Sequence, residues 1–422
     1  MIQKDSRRYG SLWNALGSTM YGFNSFLLLT SVNRFLGVEM SGVFGIAFTT
    51  AQLLWIVGIF GVGQFQMTDY HEQFSYYVYL KTKIITSVLM GVCALLACLA
   101  LSFSKEKTLL TLLLTVYMMA HSVSDLFQNR FFQLDRLDLS GKCLFFRTLF
   151  SLVCFAAALW ATRNLYVSTA VLALANITAI FLFSYFPCRS FLPSPSSAAK
   201  SEVVSLLKTC FPLFISLFLM NFLMQLPKYA IEKQCADDIQ GIFNMIFMPA
   251  QVINLVSSFV YRPMLKSLSD AVTQRDFHKS AYLIGRQLAI IFLFTLAACI
   301  GSEICGVEVL GLLYSADLSG QSTPLLFVVI GGGLFAVCQL IYYIVLILRK
   351  QVLIFYNYTA CLVISFFICP LLVRKSGITG AALSFALMQL VIIVLYCAIG
   401  FVGFLRSKRK HVGEDCGNEG KN

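Results

Sequence analysis

Four stretches of this sequence carry polar side chains at helical spacing inside otherwise apolar runs. Asn14, Ser18, Tyr21 and Ser25 follow one another at intervals of four, three and four residues, which places them on one helical face. Asn221, Gln225 and Lys228 keep the same rhythm. Asn244, Gln251, Asn254, Ser258 and Arg262 stay close to one face, and Thr49 and Gln52 sit three apart. Amides, hydroxyls and phenols are the groups that hydrogen-bond sugars, and cations hold phosphates. Polar side chains on a membrane-length helix face protein or water rather than lipid. Taken together, the four stripes predict a water-accessible cavity. The plainer reading is interhelical hydrogen bonding, worth about 0.6 kcal/mol per contact.

A second set of residues carries charge. Arg130 and Arg147 flank the segment after the fourth apolar run, and Arg262 and Arg286 flank the one after the eighth. They fit a cationic cytoplasmic mouth for an anionic headgroup, because arginine binds phosphate bidentately; plain snorkelling toward the interface is the competing reading. His121 and Asp125, four apart, have the spacing of a proton relay or of a structural pair. Pro212, Pro227, Pro249 and Pro263 fall in or beside the seventh and eighth runs and predict kinks there. Gly331-Gly332-Gly333 predicts a flexible point or a close helix crossing.

The elements that must position these residues follow from composition. The chain has 422 residues, 58% hydrophobic and 12% charged, with a mean hydropathy of +0.78. Soluble domains carry roughly 25% charged residues, so a water-soluble fold is excluded. Twelve apolar runs are long enough to span a bilayer, near residues 12–32, 41–65, 84–103, 109–127, 143–161, 166–186, 206–227, 240–260, 283–303, 324–348, 352–372 and 378–405. Spans of about 20 residues each leave roughly 170 for all loops and tails, too few in any one loop for a catalytic domain.

With the N-terminus in the cytoplasm, 24 of the 32 basic residues fall inside and 8 outside. The formal charge of +12 then becomes +12 on the cytoplasmic face and zero on the other. This obeys the positive-inside rule with both termini cytoplasmic. It makes membrane lipids, not nucleic acid, the partners of the basic balance. The Arg406-Ser407-Lys408-Arg409-Lys410 cluster reads as an anchor against anionic lipid.

A Pro/Ser-rich break at 187–204 divides the chain into a six-helix lobe at 1–186 and a second at 205–405, followed by a basic tail at 406–422. The lobes share a weak repeat: 41–54 aligns with 240–253 at a constant offset, matching Gly42 with Gly241, Phe44 with Phe243, Phe48 with Phe247, Ala51 with Ala250 and Gln52 with Gln251. An even number of spans per repeat makes the lobes parallel, with a cavity between them. The 14 cysteines show no metal-ligand spacing; Cys235 and Cys305, near the outer side, are read as free thiols rather than a disulfide. No phosphate loop, nucleophile elbow, zinc motif or catalytic carboxylate pair is present, so neither an enzyme nor a cofactor or metal is expected.

The segment Gln133-Leu134-Asp135-Arg136-Leu137-Asp138-Leu139-Ser140-Gly141-Lys142, followed by Arg147, resembles a segment between spans four and five of the polysaccharide flippases. So does Arg34-Phe35-Leu36-Gly37 before Gly42-Val43-Phe44-Gly45, in the position of that family's first outer loop. Those flippases belong to the multidrug/oligosaccharidyl-lipid/polysaccharide exporter superfamily, and the resemblance extends over nearly the whole chain. It implies an all-α membrane protein of two parallel six-helix lobes, in a bacterial cytoplasmic membrane. The implied activity is alternating-access flipping of undecaprenyl-pyrophosphate-linked oligosaccharide from the inner to the outer leaflet, for surface polysaccharide assembly. The implied partners are the lipid-linked substrate, a monovalent ion or proton, and glycan polymerase machinery.

Members line their cavity with spans one, two, seven and eight, the spans that carry the stripes here. Two alternatives remain. A drug/cation antiporter of the same superfamily is expected to carry an acidic residue in the first span, and 12–32 has none. A membrane-embedded polymerase or ligase is expected to carry a large outer loop, whereas the longest outer segments here are 228–239 and 304–323.

Overall fold

The computed structural model describes residues 2–69, 73–193, 199–274, 276–348 and 351–418. Among them every regular element is a helix. Ten helices are long and apolar enough to cross a membrane. The first helix, Ile2–Leu36, is not one of these ten but has 35 residues, about 50 Å at 1.5 Å per residue. The last, Gln351–Asn418, is interrupted at Gly377, whose φ of 54° and ψ of −126° only glycine adopts easily. Adding the first helix and dividing the last at Gly377 yields the twelve expected spans.

Several expected loops are much shorter than the sequence suggests. Span four, Lys105–Gln133, and span five, Leu137–Thr162, are separated by three residues. Asp135 makes the turn at φ 56°, and Arg136 grips Asp138 through two nitrogen–oxygen contacts of 3.0 and 3.1 Å. The outer segment 228–239 is mostly helical: span seven runs to Gln234 and span eight begins at Asp237. The outer segment 304–323 is a correction of the same kind. Helix Val307–Tyr314 occupies much of it, because Val307, Val309, Leu310, Leu312 and Leu313 continue the apolar run past a π-helical turn at Ser302–Gly306. The chain leaves that helix through Ser315 and Gly320, both at positive φ. There the Asp317 carboxyl is held below its usual value by the backbone and side chain of Ser319. Of the expected 187–204 linker, 194–198 lie outside the described residues; helix persists to Cys188 and resumes at Lys200.

By compactness the chain divides into two units: Met1–Met248 with Val307–Ser319, and Pro249–Gly306 with Gly320–Asn422. In the first unit, spans one and five cross at Gly17 and Gly141. A Cβ on Gly17 would overlap the Gly141 carbonyl, and one on Gly141 would overlap the backbone of Trp13. One residue beyond this crossing, the Lys142 ammonium lies 5.0 Å from the Tyr9 ring and 5.4 Å from that of Trp13. Much of the 133–142 segment is therefore architectural: a left-handed turn, an ion-pair clasp and a glycine crossing.

Spans two and eight cross in the same manner. A Cβ on Gly42 would overlap the Asp237 carbonyl, one on Gly241 would overlap the Val38 carbonyl, and one on Gly45 would overlap the Asn244 amide. Gly42 and Gly241 are partners in the internal repeat, as are Gly45 and Asn244. Equivalent positions thus meet each other across the contact, the signature of a two-fold relation. The terminal turn of Val307–Tyr314 packs into this unit too: Tyr314 is fully buried, 5.3 Å from the Phe26 ring, and its carbonyl accepts from the Asn33 amide.

In the second unit the Gly331-Gly332-Gly333 run is a close crossing. Added Cβ atoms would press on Phe385 from Gly331, on Ala250 from Gly332 (2.7 Å) and on Thr295 from Gly333. Tyr261, Met264, Leu268, Leu283, Ile291, Ala336 and Leu340 form its core. Phe292, Leu293, Leu296 and Ile300 project outward, as lipid-facing residues do.

Candidate functional site

The fourth span supplies the backbone of a polar column inside the first unit. Tyr117, His121, Asp125 and Asn129 recur every fourth residue and so share one face. Each has a partner from this unit. The Asn24 amide of span one donates to the Tyr117 hydroxyl at 3.0 Å. His121 Nδ1 meets Arg147 Nη2 of span five at 2.6 Å. Asp125 Oδ2 accepts from the Lys83 ammonium of span three at 3.2 Å and from the Asn129 amide at 3.3 Å. The His121 ring is flanked by aromatic partners, with Tyr21 at 4.5 Å and Trp55 at 5.1 Å between centroids, both stacked.

Burial grades along this column. The Asp125 side chain is 26% exposed while Lys83 is fully buried. Arg147 is 2% exposed and His121 6%. Gly63, on the short helix Val62–Thr68, leaves room for the pair, since a Cβ there would meet Asp125 Oδ2 at 2.6 Å and Asn129 Nδ2 at 2.7 Å. His121 and Asp125 thus each hold a basic partner, Arg147 and Lys83 respectively. Arg147 lies ten residues into its helix, about 15 Å from the helix start.

A second polar group lies where spans two, seven and eight meet. Lys228 is 5% exposed. Its ammonium is 3.5 Å from Thr49 Oγ1 and 4.7 Å from the Phe247 ring centroid. Among the described ion pairs none reaches Lys228. The Tyr229 hydroxyl donates to Thr50 Oγ1 at 3.3 Å. Gln225 and Asn244 are buried, with Gln225 Oε1 and Asn244 Nδ2 lacking a hydrogen-bond partner. A buried ammonium held by a hydroxyl and a ring face keeps most of its charge unanswered.

The remaining expected residues are spread more widely. Asn14, Ser18, Ser25 and Gln52 are half-buried. Asn221 is half-buried and donates back to the Leu217 carbonyl at 2.8 Å. Gln251 and Asn254, half-buried, belong to the second unit, and the Asn254 side-chain oxygen has no partner. Arg130 is buried; its Nε donates to the Phe191 carbonyl at 3.4 Å and its Nη1 to Gln133 Oε1 at 3.3 Å, tying down the end of span six. Arg286 is exposed on the helix Phe277–Gly301. The Arg262 side chain lies outside the described residues. Cys235 and Cys305 are free thiols.

Where spans four, seven and eight meet, the Lys107 ammonium bridges Glu232, at 2.7 Å, and Asp237. These three residues, with Glu39, Cys235, Ala236 and Asp238, line a cavity of about 530 Å³. Among the described residues no cluster has the composition of a metal site.

With this geometry established, comparison with solved structures identifies the architecture. The chain has the MurJ/MATE fold. It is similar to the lipid II flippase MurJ in an inward closed conformation, at TM-score 0.67 and 15% identity, covering 92% of this chain and 87% of that one. It is similar to a multidrug-resistance MATE family transporter of the MOP superfamily in an inward-facing conformation, at TM-score 0.61 and 14% identity, covering 92% and 96%. The Vibrio cholerae MATE transporter VcmN in its bent form gives TM-score 0.61 at 12% identity, covering 96% and 97%. These neighbours have twelve helices in two lobes. No protein-family profile and no curated protein matches the sequence.

Several residues of the polar column escaped sequence reasoning. Lys83 looks like one more interfacial cation beside Lys81, yet it is fully buried. Asn24 sits one position before Ser25 and falls off the chosen stripe. Trp55, Tyr117 and Asn129 belong to none of the four polar stripes. The available signal was the four-residue recurrence Tyr117, His121, Asp125, Asn129, visible once His121 and Asp125 are extended in both directions.

Proposed function

We propose that this chain is an alternating-access transporter that moves a lipid-linked oligosaccharide, carried on undecaprenyl pyrophosphate, from the inner to the outer leaflet of a bacterial cytoplasmic membrane. The fold, shared over more than nine-tenths of the chain with a lipid flippase and with multidrug transporters, supports a transporter. The observation that carries the anionic substrate is Lys228. It is a buried lysine that no ion pair among the described residues reaches, at the crossing of the repeat-equivalent spans, beside polar Gln225 and Asn244. A pyrophosphate supplies the countercharge that this lysine lacks, and amides and hydroxyls suit the sugar. A drug/cation antiporter is favoured by the MATE likeness, but a cationic substrate would be repelled by Lys228.

Energetics agree with this direction of transport. Outward movement of an anion from an inside-negative cell is favourable by about 2.3 kcal/mol per charge per 100 mV. No nucleotide chemistry is required of this chain.

The test uses purified protein in sealed vesicles containing headgroup-labelled prenyl-pyrophosphate glycolipid, under an imposed potential or ion gradient. The wild type moves label to the opposite leaflet. Lys228→Gln inserts normally and moves it about tenfold more slowly, the factor expected for about 1.4 kcal/mol of lost binding. Label that stays in its original leaflet with the wild type overturns the flippase reading. Potential- or ion-driven efflux of a cationic dye by the same vesicles would replace it with the antiporter.

A further inference from the structure

We propose that the interior of the first six spans contains an anion-binding site at Arg147, separate from Lys228. Arg147 is almost completely buried, and only one of its guanidinium nitrogens, Nη2, has a partner, the His121 ring. Among the described residues its Nε and Nη1 have none, and neither does the indole Nε1 of Trp55, whose ring stacks on His121. Three buried donors, all on side chains that contact His121, thus lack an acceptor.

Charge points the same way. The column holds two basic side chains, Lys83 and Arg147, and one carboxylate, Asp125. That carboxylate is engaged by Lys83 and Asn129, and among the described ion pairs none reaches Arg147. A buried guanidinium without countercharge is among the costliest arrangements a protein interior can hold. Surplus donors and surplus positive charge are relieved together by one kind of partner, an acceptor that carries negative charge. A bound cation would worsen both. The site takes a small anion, and its chemistry is the same whether the anion arrives free from solution or as the phosphate of a lipid headgroup. The Asp125 end of the column, one helical turn from His121, is 26% exposed. The proposal stands on the donors around Arg147 and is independent of the flippase reading.

Trp55 reports the site. The chain has three tryptophans, so Trp13→Phe with Trp160→Phe leaves Trp55 as the only indole. The full-length protein in nanodiscs is titrated with iodide, which quenches indole fluorescence on contact. The expected result is saturable quenching with a millimolar midpoint, weakened at least tenfold by Arg147→Gln. Arg147→Lys keeps the charge with fewer donors and shifts the midpoint by a smaller factor, which preserves the test should the glutamine variant fail to fold. Two competition arms identify the source. Displacement by inorganic phosphate assigns the site to free anions. Displacement by a prenyl-pyrophosphate lipid in the nanodisc, but not by inorganic phosphate, assigns it to a headgroup. Quenching that rises linearly without saturation, or a midpoint unchanged in both Arg147 variants, overturns the proposal.

Discussion

Removing Asp125 should destabilise the first unit through Lys83, and the structure sets the size of the effect. Lys83 is fully buried and its ammonium lies 3.2 Å from Asp125, its carboxylate partner. Breaking a buried ion pair from one side costs about 3–5 kcal/mol, because it strands the other charge. Asp125 is 26% exposed, and screening at that end moves the expectation to the bottom of the range, about 3 kcal/mol. For a chain of 422 residues, unfolding entropy of roughly 2.1 cal/mol/K per residue converts this into a drop of about 3–4 °C in apparent melting temperature.

The asymmetry within the pair is the more telling measurement. Lys83→Met leaves Asp125 with the Asn129 amide and a partly wet environment, so it should cost less than Asp125→Ala. Combining Asp125→Ala with Lys83→Met removes both charges and should restore most of the loss, giving a coupling of about 2–3 kcal/mol. The assay is thermal unfolding of the full chain in nanodiscs at one fixed scan rate, since membrane proteins often unfold irreversibly. A neutral Asp125→Ala, or a double variant whose loss equals the sum of the singles, refutes the reasoning.

Further outcomes follow from the crossings, the Lys107 ion pairs and the topology. Gly17→Ala places a methyl group on the Gly141 carbonyl and should cost about 1–3 kcal/mol by overpacking. Gly285→Ala, with nothing within 4 Å, should leave melting unchanged or slightly raised. Lys107→Ala removes the bridge to Glu232 and Asp237, which is partly solvent-exposed. The loss should be about 1 kcal/mol and should shrink in high salt, as seen by comparing melting at low and high ionic strength. With both termini cytoplasmic, a C-terminal green fluorescent protein fusion should fluoresce and a C-terminal alkaline phosphatase fusion should be inactive; the reverse pattern would overturn the orientation.

Composition and the spacing of apolar runs are enough to specify the solvent and the helix count. Apolar runs of membrane length recur at a spacing that only twelve helices satisfy, and the lopsided placement of basic residues predicts which way they face. Both depend on local composition averaged over about 20 residues, which needs no knowledge of neighbours. The repeat was legible for the same reason: Gly42 and Gly241 are visible as equivalents in one dimension.

What those residues do depends on how the helices pack. That Gly42 and Gly241 pack against each other, backbone on backbone, is a property of two helices crossing. Arg147 reads as an interfacial arginine because a polar segment precedes it. The structure turns that segment in three residues, so the same side chain ends about 15 Å inside the helix. Lys83 reads as an anchor beside Lys81, but its helix face meets Asp125 on a neighbour 42 positions later. Charge in an apolar interior is tolerated only through partners brought in by the fold, and partners distant in sequence leave no local trace. The same holds for Lys228 and for the unpaired donors of Arg147, whose missing countercharge is evident only once every neighbour is in place.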